Sequence, residues 1–311
     1  MKSKKINNYK LNGSIHTLQI KSEEVPDIPE GMEEAMKASV LLHPGNSEAI
    51  CVINPNKLVG DCYTFTEFND SFSAVLEETG IEGYRIMRMD LRLDSYDPNH
   101  YKEYAKMHKF LLSCLAVAYE VKNVYKTENL FTNKLLSMAI KNDYLQCECY
   151  DRKEKSKLTK NHEEKGLSRL EERTMSKEWR KILEDESLSN EEVIKEEFIN
   201  NWIKRWKKAI SLENIKKCEE TYNAALADLY AEGKDAFPVQ FRTLTDFLIQ
   251  YQYCIFSSRQ MVNLLKLIGV ENAEVRAKNH KKRYGIEYFS QSDLKKAVAE
   301  IDRATKKFFS E

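Results

Sequence analysis

Apolar and polar positions alternate most strictly over Tyr84–Ser95, in YRIMRMDLRLDS. Met89, Leu91 and Leu93 fall on one side, Arg88, Asp90, Arg92 and Asp94 on the other. A two-residue period of this kind predicts a strand with one dry and one wet face. The same period marks SIHTLQI (14–20), AICVINPNKL (49–58, closed by an Asn-Pro turn signal), segments near 132–140 and 144–152, and GLSRLEERT (166–174). Helical spacing predicts CYTFTEFNDSFSAVLEETG (62–80), ending at Gly80, and DPNHYKEYAKMHKFLLSCLAVAYEVKN (97–123), with Asp97 as cap and Pro98 in the first turn. Residues 24–47 hold three prolines and read as a loop with a brief helix, EGMEEAMKAS.

Beyond residue 176 the pattern changes. Residues 177–232 are charged and helical. A long apolar helix opens the stretch 235–269; a Ser-Ser break leads to a second helix ending at Gly269. A basic helix (NAEVRAKNHKKRYG), a short strand (IEYFSQ) and an amphipathic helix (SDLKKAVAEIDRATKKFF) complete the chain. Helix, turn, helix, basic helix and short strand is a winged-helix order, which any small helical bundle also produces. The expected fold is α+β. An antiparallel-rich sheet with helices on one face occupies 1–176, and a helical, winged-helix-like region occupies 177–311.

Composition narrows the chemistry only locally. Forty-nine basic and 49 acidic side chains give a net charge of zero, so overall charge selects no partner. The basic runs WIKRWKK (202–208) and RAKNHKKR (276–283) are local. In the second, Arg276, Lys278, Lys281, Lys282 and Arg283 are the candidate duplex-DNA contacts, through phosphates. Seven cysteines at irregular spacing predict reduced thiols and a cytoplasmic protein. MKSKKINNYK has no apolar core behind it and does not read as a signal peptide, and no apolar run is long enough to span a bilayer. Walker, GxSxG, HExxH and zinc patterns are absent. Trp202, Trp206 and Tyr222 read as helix-packing residues; His100 and His108 sit on a helix and read as structural or exposed.

Three strands carry complementary polar faces: Arg88, Asp90, Arg92 and Asp94; Glu148, Tyr150 and Arg152; Arg169, Glu171 and Arg173. Each alone is what any sheet with one wet face shows. Together, carboxylates that hold Mg²⁺ or Mn²⁺, arginines that offset charge and a tyrosine nucleophile suit work on a phosphodiester. A free phenol is only on the order of one-thousandth ionised at neutral pH. Arg152, Lys153 and a metal are expected to favour the phenolate.

INPNKL (53–58), RMDLRLD (88–94), CECYDRKEK (147–155) and RLEER (169–173), in that order, resemble the replication initiators of Gram-positive rolling-circle plasmids, the Rep_trans-like group, and the related relaxases of mobile elements. The resemblance covers roughly residues 14–176 and implies an HUH-nuclease-like core. It implies that Tyr150 is the nicking tyrosine, assisted by Arg169, Arg152 and Lys153. Asp90 and Glu171 would be the first metal ligands, with Asp94 and Glu148 behind them. The chain lacks the His-hydrophobe-His pair of the common HUH nucleases, which fits a carboxylate-using branch. The implied activity is site-specific, metal-dependent nicking and rejoining of a double-strand origin, at a hairpin-exposed single-stranded site, through a 5′-phosphotyrosyl intermediate. A host helicase of the UvrD/PcrA kind is the implied partner, and many relatives dimerise. A conjugative relaxase or phage initiator shares this chemistry. A non-enzymatic winged-helix regulator is the alternative of another class.

Overall fold

In the computed structural model the described residues are 9–43, 46–97, 100–129, 134–142, 145–152, 168–174, 202–235, 244, 247–248, 251, 254–284 and 289–310. Among the described residues eight strands form one antiparallel sheet: β1 (Asn12–Ser22), β2 (Met36–His43), β3 (Asn46–Ile53), β4 (Tyr84–Ser95), β5 (Asn123–Asn129), β6 (Lys134–Lys141), β7 (Leu145–Asp151) and β8 (Ser168–Thr174). Their spatial order is β2-β3-β1-β4-β8-β7-β6-β5, and every pairing is antiparallel.

The helices are α1 (Asn56–Val59), α2 (Phe65–Glu78), α3 (Tyr101–Ala118), α4 (202–209), α5 (Leu212–Asp235), α6 (Ser258–Leu267), α7 (Ala273–Tyr284) and α8 (Gln291–Ser310). A capping box starts α2: Thr64 Oγ1 accepts from Glu67 N–H, and the Glu67 carboxylate accepts from Thr64 N–H. Gly80, at φ 66°, turns the chain out of it. Among the described residues no helix is long and apolar enough to cross a membrane.

The helices cover the apolar face of the sheet. Helix α3 lies across β6, β7 and β8, and α8 lies across β1 and β4 against α2. Ile15, Leu18 and Ile20 of β1, Met89, Leu91 and Leu93 of β4, and Cys147 and Cys149 of β7 are buried beneath them. All seven cysteines are buried free thiols. Helix α8 approaches β1 so closely that a Cβ on Gly13 would meet Ala304 O at 2.8 Å. Leu11 N–H donates to Glu300 at 2.8 Å, and Arg303 donates to Leu11 O at 3.0 Å. Glu172 points into the helical layer, where it pairs with Arg205 of α4 at 2.5 Å beside the buried Trp202 and Trp206.

Three expectations change. The loop and brief helix read over 24–47 are in part strand β2, at the sheet edge. Only its first residues pack: Met36 is buried while Val40 and Leu42, on the same face, are exposed, so its alternation is weak in the sequence. The helix expected over 97–123 stops at Ala118, because Glu120 adopts a left-handed φ of 51°, and β5 follows from Asn123. Gln291 opens α8 rather than closing a strand; the rest of that expected strand, apart from Phe289 and Ser290, lies outside the described residues. So does most of the long apolar helix read after residue 235.

Candidate active site

The wet face of the sheet collects the polar stripes of β1, β4, β8 and β7. Across the β4–β8–β7 ladders, Asp94 faces Arg169, which faces Tyr150; Arg92 faces Glu171, which faces Glu148; Asp90 faces Arg173. Strand alternation brings these side chains to one face, and the register brings them into contact.

Tyr150 is buried, and its hydroxyl donates to Glu171 Oε2 at 3.4 Å while accepting from Arg169 Nη1 at 3.2 Å. Burial pushes its phenol up to about 12, against the opposing pull of Arg169, with Glu171 and Asp94 adding to the rise. Burial thus works against the expected bias toward phenolate. Arg152 is attracted to the Tyr150 oxygen, as expected, but its buried guanidinium also reaches Asp94 at 3.3 Å. Lys153 lies outside the described residues.

Asp94 is enclosed by arginines. Arg169 binds it through Nε and Nη2 at 2.7 and 2.8 Å, Arg152 reaches it at 3.3 Å and Arg92 at 3.9 Å. Burial would raise its carboxyl, but these cations hold it at about 2. Asp90, four residues earlier on the same face, is treated differently. Its neighbours Arg88 (2.9 Å) and Arg173 (3.3 Å) are 24% and 28% exposed, and Arg173 is shared with Glu171 at 3.1 Å. Burial therefore wins and raises the Asp90 carboxyl to about 7. Its buried Oδ1 is the atom that Arg88 Nε approaches at 2.9 Å.

A group the sequence reading did not select completes this end of the site. His16 of β1 brings a ring nitrogen within 4.8 Å of carboxylate oxygens of Asp90 and Glu171, themselves within 4.8 Å of each other. The β1–β4 register steps from Ile15↔Leu91 to Thr17↔Asp90, so His16 is the extra residue of a β-bulge. A bulge of this kind re-aims a side chain, and here two successive residues face the wet side. Burial lowers the His16 ring to about 4, leaving it neutral at physiological pH. Its Nδ1 lies 3.1 Å from Thr17 Oγ1. With that hydroxyl accepting from Nδ1, Nε2 presents its lone pair. Burial would raise Glu171, but His16, Arg173 and Arg169 keep it below the usual carboxylate range.

One neutral imidazole and two carboxylates within reach of one another are a fitting donor set for a divalent cation. The imidazole favours Mn²⁺ over Mg²⁺. The trio differs from the ligand set expected from sequence: Asp90 and Glu171 are in it, His16 joins it, Asp94 is taken up by arginines, and Glu148 stands across the β7–β8 ladder from Glu171. The alternation of SIHTLQI could place His16 on the wet face, but the bulge that aims it leaves no mark in one sequence. His108 is buried between Tyr9 (2.7 Å) and Ser168 (3.3 Å), and His100 is half exposed beside Asp97 at 2.9 Å. Arg276, Lys278, Lys281, Lys282 and Arg283 are all exposed on α7. That helix belongs to the helical layer, whereas the cluster occupies the opposite face of the sheet.

No family model and no curated protein matches this chain. Among solved structures, a rolling circle replication initiator protein from Geobacillus stearothermophilus is similar to 59% of this chain and 83% of its own. The identity is 10% and the TM-score 0.32.

Proposed function

We propose that this protein is a metal-dependent DNA nicking and rejoining enzyme of the rolling-circle initiator kind, with Tyr150 as nucleophile. The observation that carries the reading is the sharing of Glu171. One oxygen of its carboxylate accepts from the Tyr150 hydroxyl, and the same carboxylate joins His16 and Asp90 in the candidate metal site. The order of the four sequence motifs supports it independently.

His16, Asp90 and Glu171 would hold Mn²⁺ or Mg²⁺. When bound, the cation supplies Lewis-acid polarisation of the scissile phosphate and lowers the cost of a nearby phenolate. Arg169 steadies charge on the Tyr150 oxygen. That oxygen attacks phosphorus while its proton passes toward Glu171 Oε2 or solvent. The P–O3′ bond breaks, and the 3′ oxygen takes up a proton to become a free 3′-OH. The 5′-phosphotyrosyl ester conserves the bond energy, so attack by a 3′-OH reverses the step and rejoins the strand. Arg276, Lys278, Lys281, Lys282 and Arg283 are the proposed duplex contacts. Origin DNA and a UvrD/PcrA-like helicase would be the partners.

The test is incubation with supercoiled DNA from the element that encodes the protein, with Mn²⁺. Nicked or relaxed product carrying protein on a 5′ end is expected. Tyr150→Phe, which removes the nucleophile, should stop nicking and spare duplex binding. Nicking by Tyr150→Phe at the wild-type rate would overturn the reading.

A further inference from the structure

The motif INPNKL supplies none of the groups above, yet its second asparagine touches the site. Asn56 Nδ2 donates to Ile15 O at 3.0 Å and to Asn54 Oδ1 at 3.1 Å. Its Oδ1 accepts from Cys62 N–H at 3.0 Å and from Arg92 Nη2 at 3.3 Å. Two acceptors on one side and two donors on the other fix the orientation of the carboxamide. Arg92 is itself held by Asp61 at 2.5 Å.

Ile15 O belongs to the same peptide plane as His16 N. It lies where the β1–β4 register breaks, and a bulge leaves its extra residue outside the regular ladder. Two side chains donate to that carbonyl, Ser14 Oγ of β1 itself at 3.3 Å and Asn56 Nδ2 from outside the strand at 3.0 Å, and the second ties the peptide from which the His16 ring projects to a point beyond β1. We infer that Asn56 is the positioning residue for His16: its carboxamide clamps the β1 bulge and so holds the imidazole toward Asp90 and Glu171. The inference rests on the reading of His16, Asp90 and Glu171 as a metal site. Partners one step removed from a metal typically change affinity ten- to a hundredfold when lost.

Asn56→Asp is the informative change. It keeps the shape and the oxygen facing Arg92 and Cys62, but sets an oxygen against Ile15 O. It also adds negative charge near the site, which by attraction alone would tighten cation binding. Mn²⁺ affinity by calorimetry on the full chain, with melting temperature beside it, separates the two effects. The expected result is binding weaker by about tenfold, with the effect falling below twofold in a His16→Ala background. Asn56→Ala, measured in the same way, serves if the aspartate variant does not fold. Mn²⁺ binding as tight as wild type or tighter in the folded Asn56 variant would overturn the inference alone, whatever its melting temperature. Wild-type protein that takes up no Mn²⁺ would overturn the metal reading and this inference with it.

Discussion

Asp94 and Asp90 lie on one face of one strand, and the fold handles them in opposite ways. Asp94 is locked by a two-pronged Arg169 contact and backed by Arg152 and Arg92, all nearly sealed from solvent. Asp90 has two arginines whose charge is partly spent on water and on Glu171. The first carboxylate has more positive charge than it needs, and the second has too little. Burial and a local excess of cations make an anchor; burial with a local deficit makes a place for one more cation. The site is therefore organised by where the arginines are sealed rather than by where the carboxylates are.

The largest effect should come from breaking the anchor. Asp94→Asn leaves Arg169 and Arg152 buried without their counter-charge and should cost about 3–5 kcal/mol in chemical denaturation. A loss below 1 kcal/mol would mean that the two ends are not different. Next is the converse change. Without metal at pH 8, Asp90→Asn should gain about 1–3 kcal/mol, because it removes an under-compensated charge, while the Mn²⁺-induced rise in melting temperature shrinks. Destabilisation without metal would show that Arg88 and Arg173 already satisfy Asp90.

The two ends should also differ in pH dependence, read as the variant minus wild type. The difference cancels most of the opposing contribution of the buried His16 and His108, held by burial at about 4 and about 3. Asp94 holds its proton less tightly folded than unfolded. Its contribution is full above the ordinary value of 3.8 and is lost as pH falls through about 2, so the Asp94→Asn deficit should narrow in acid. Asp90 holds its proton more tightly folded than unfolded. Its favourable contribution is full below 3.8 and disappears as pH rises through about 7. The Asp90→Asn advantage should therefore grow across that window and then level off. An advantage flat from pH 4 to 8 would contradict this. The smallest effect is expected at Glu148. Glu148→Gln should change Mn²⁺ affinity less than about fivefold, and Glu171→Gln roughly a hundredfold. Equal losses would bring Glu148 into the ligand set.

Much of this was legible in the sequence where packing follows a simple period. Strand β4 was readable to its end residues because its alternation is unbroken from Arg88 to Asp94; the register shift that turns Ile86 into the core was not legible. Helices α2 and α8 were readable from their apolar spacing. Strand β2 was hidden by its edge position, since its packing stops after the first residues and leaves Val40 and Leu42 exposed. Among the site residues, Tyr150, Asp90 and Glu171 could be placed on the wet face by parity. Which arginine meets which carboxylate depends on register across β4, β8 and β7, and a single strand's sequence does not contain it. His16 depends on one extra residue in one strand, and Asn56 matters through a backbone atom 41 positions away.

The grip of α8 on β1 has a consequence for the order of synthesis. The contact between Leu11 and Glu300 spans 289 residues, and Gly13 is shaped for Ala304. The strand that carries His16 therefore waits for its covering helix until some 289 further residues have been made. A nascent chain that has not yet exposed residues 291–310 leaves the apolar side of β1 uncovered, and such surfaces are where folding intermediates associate.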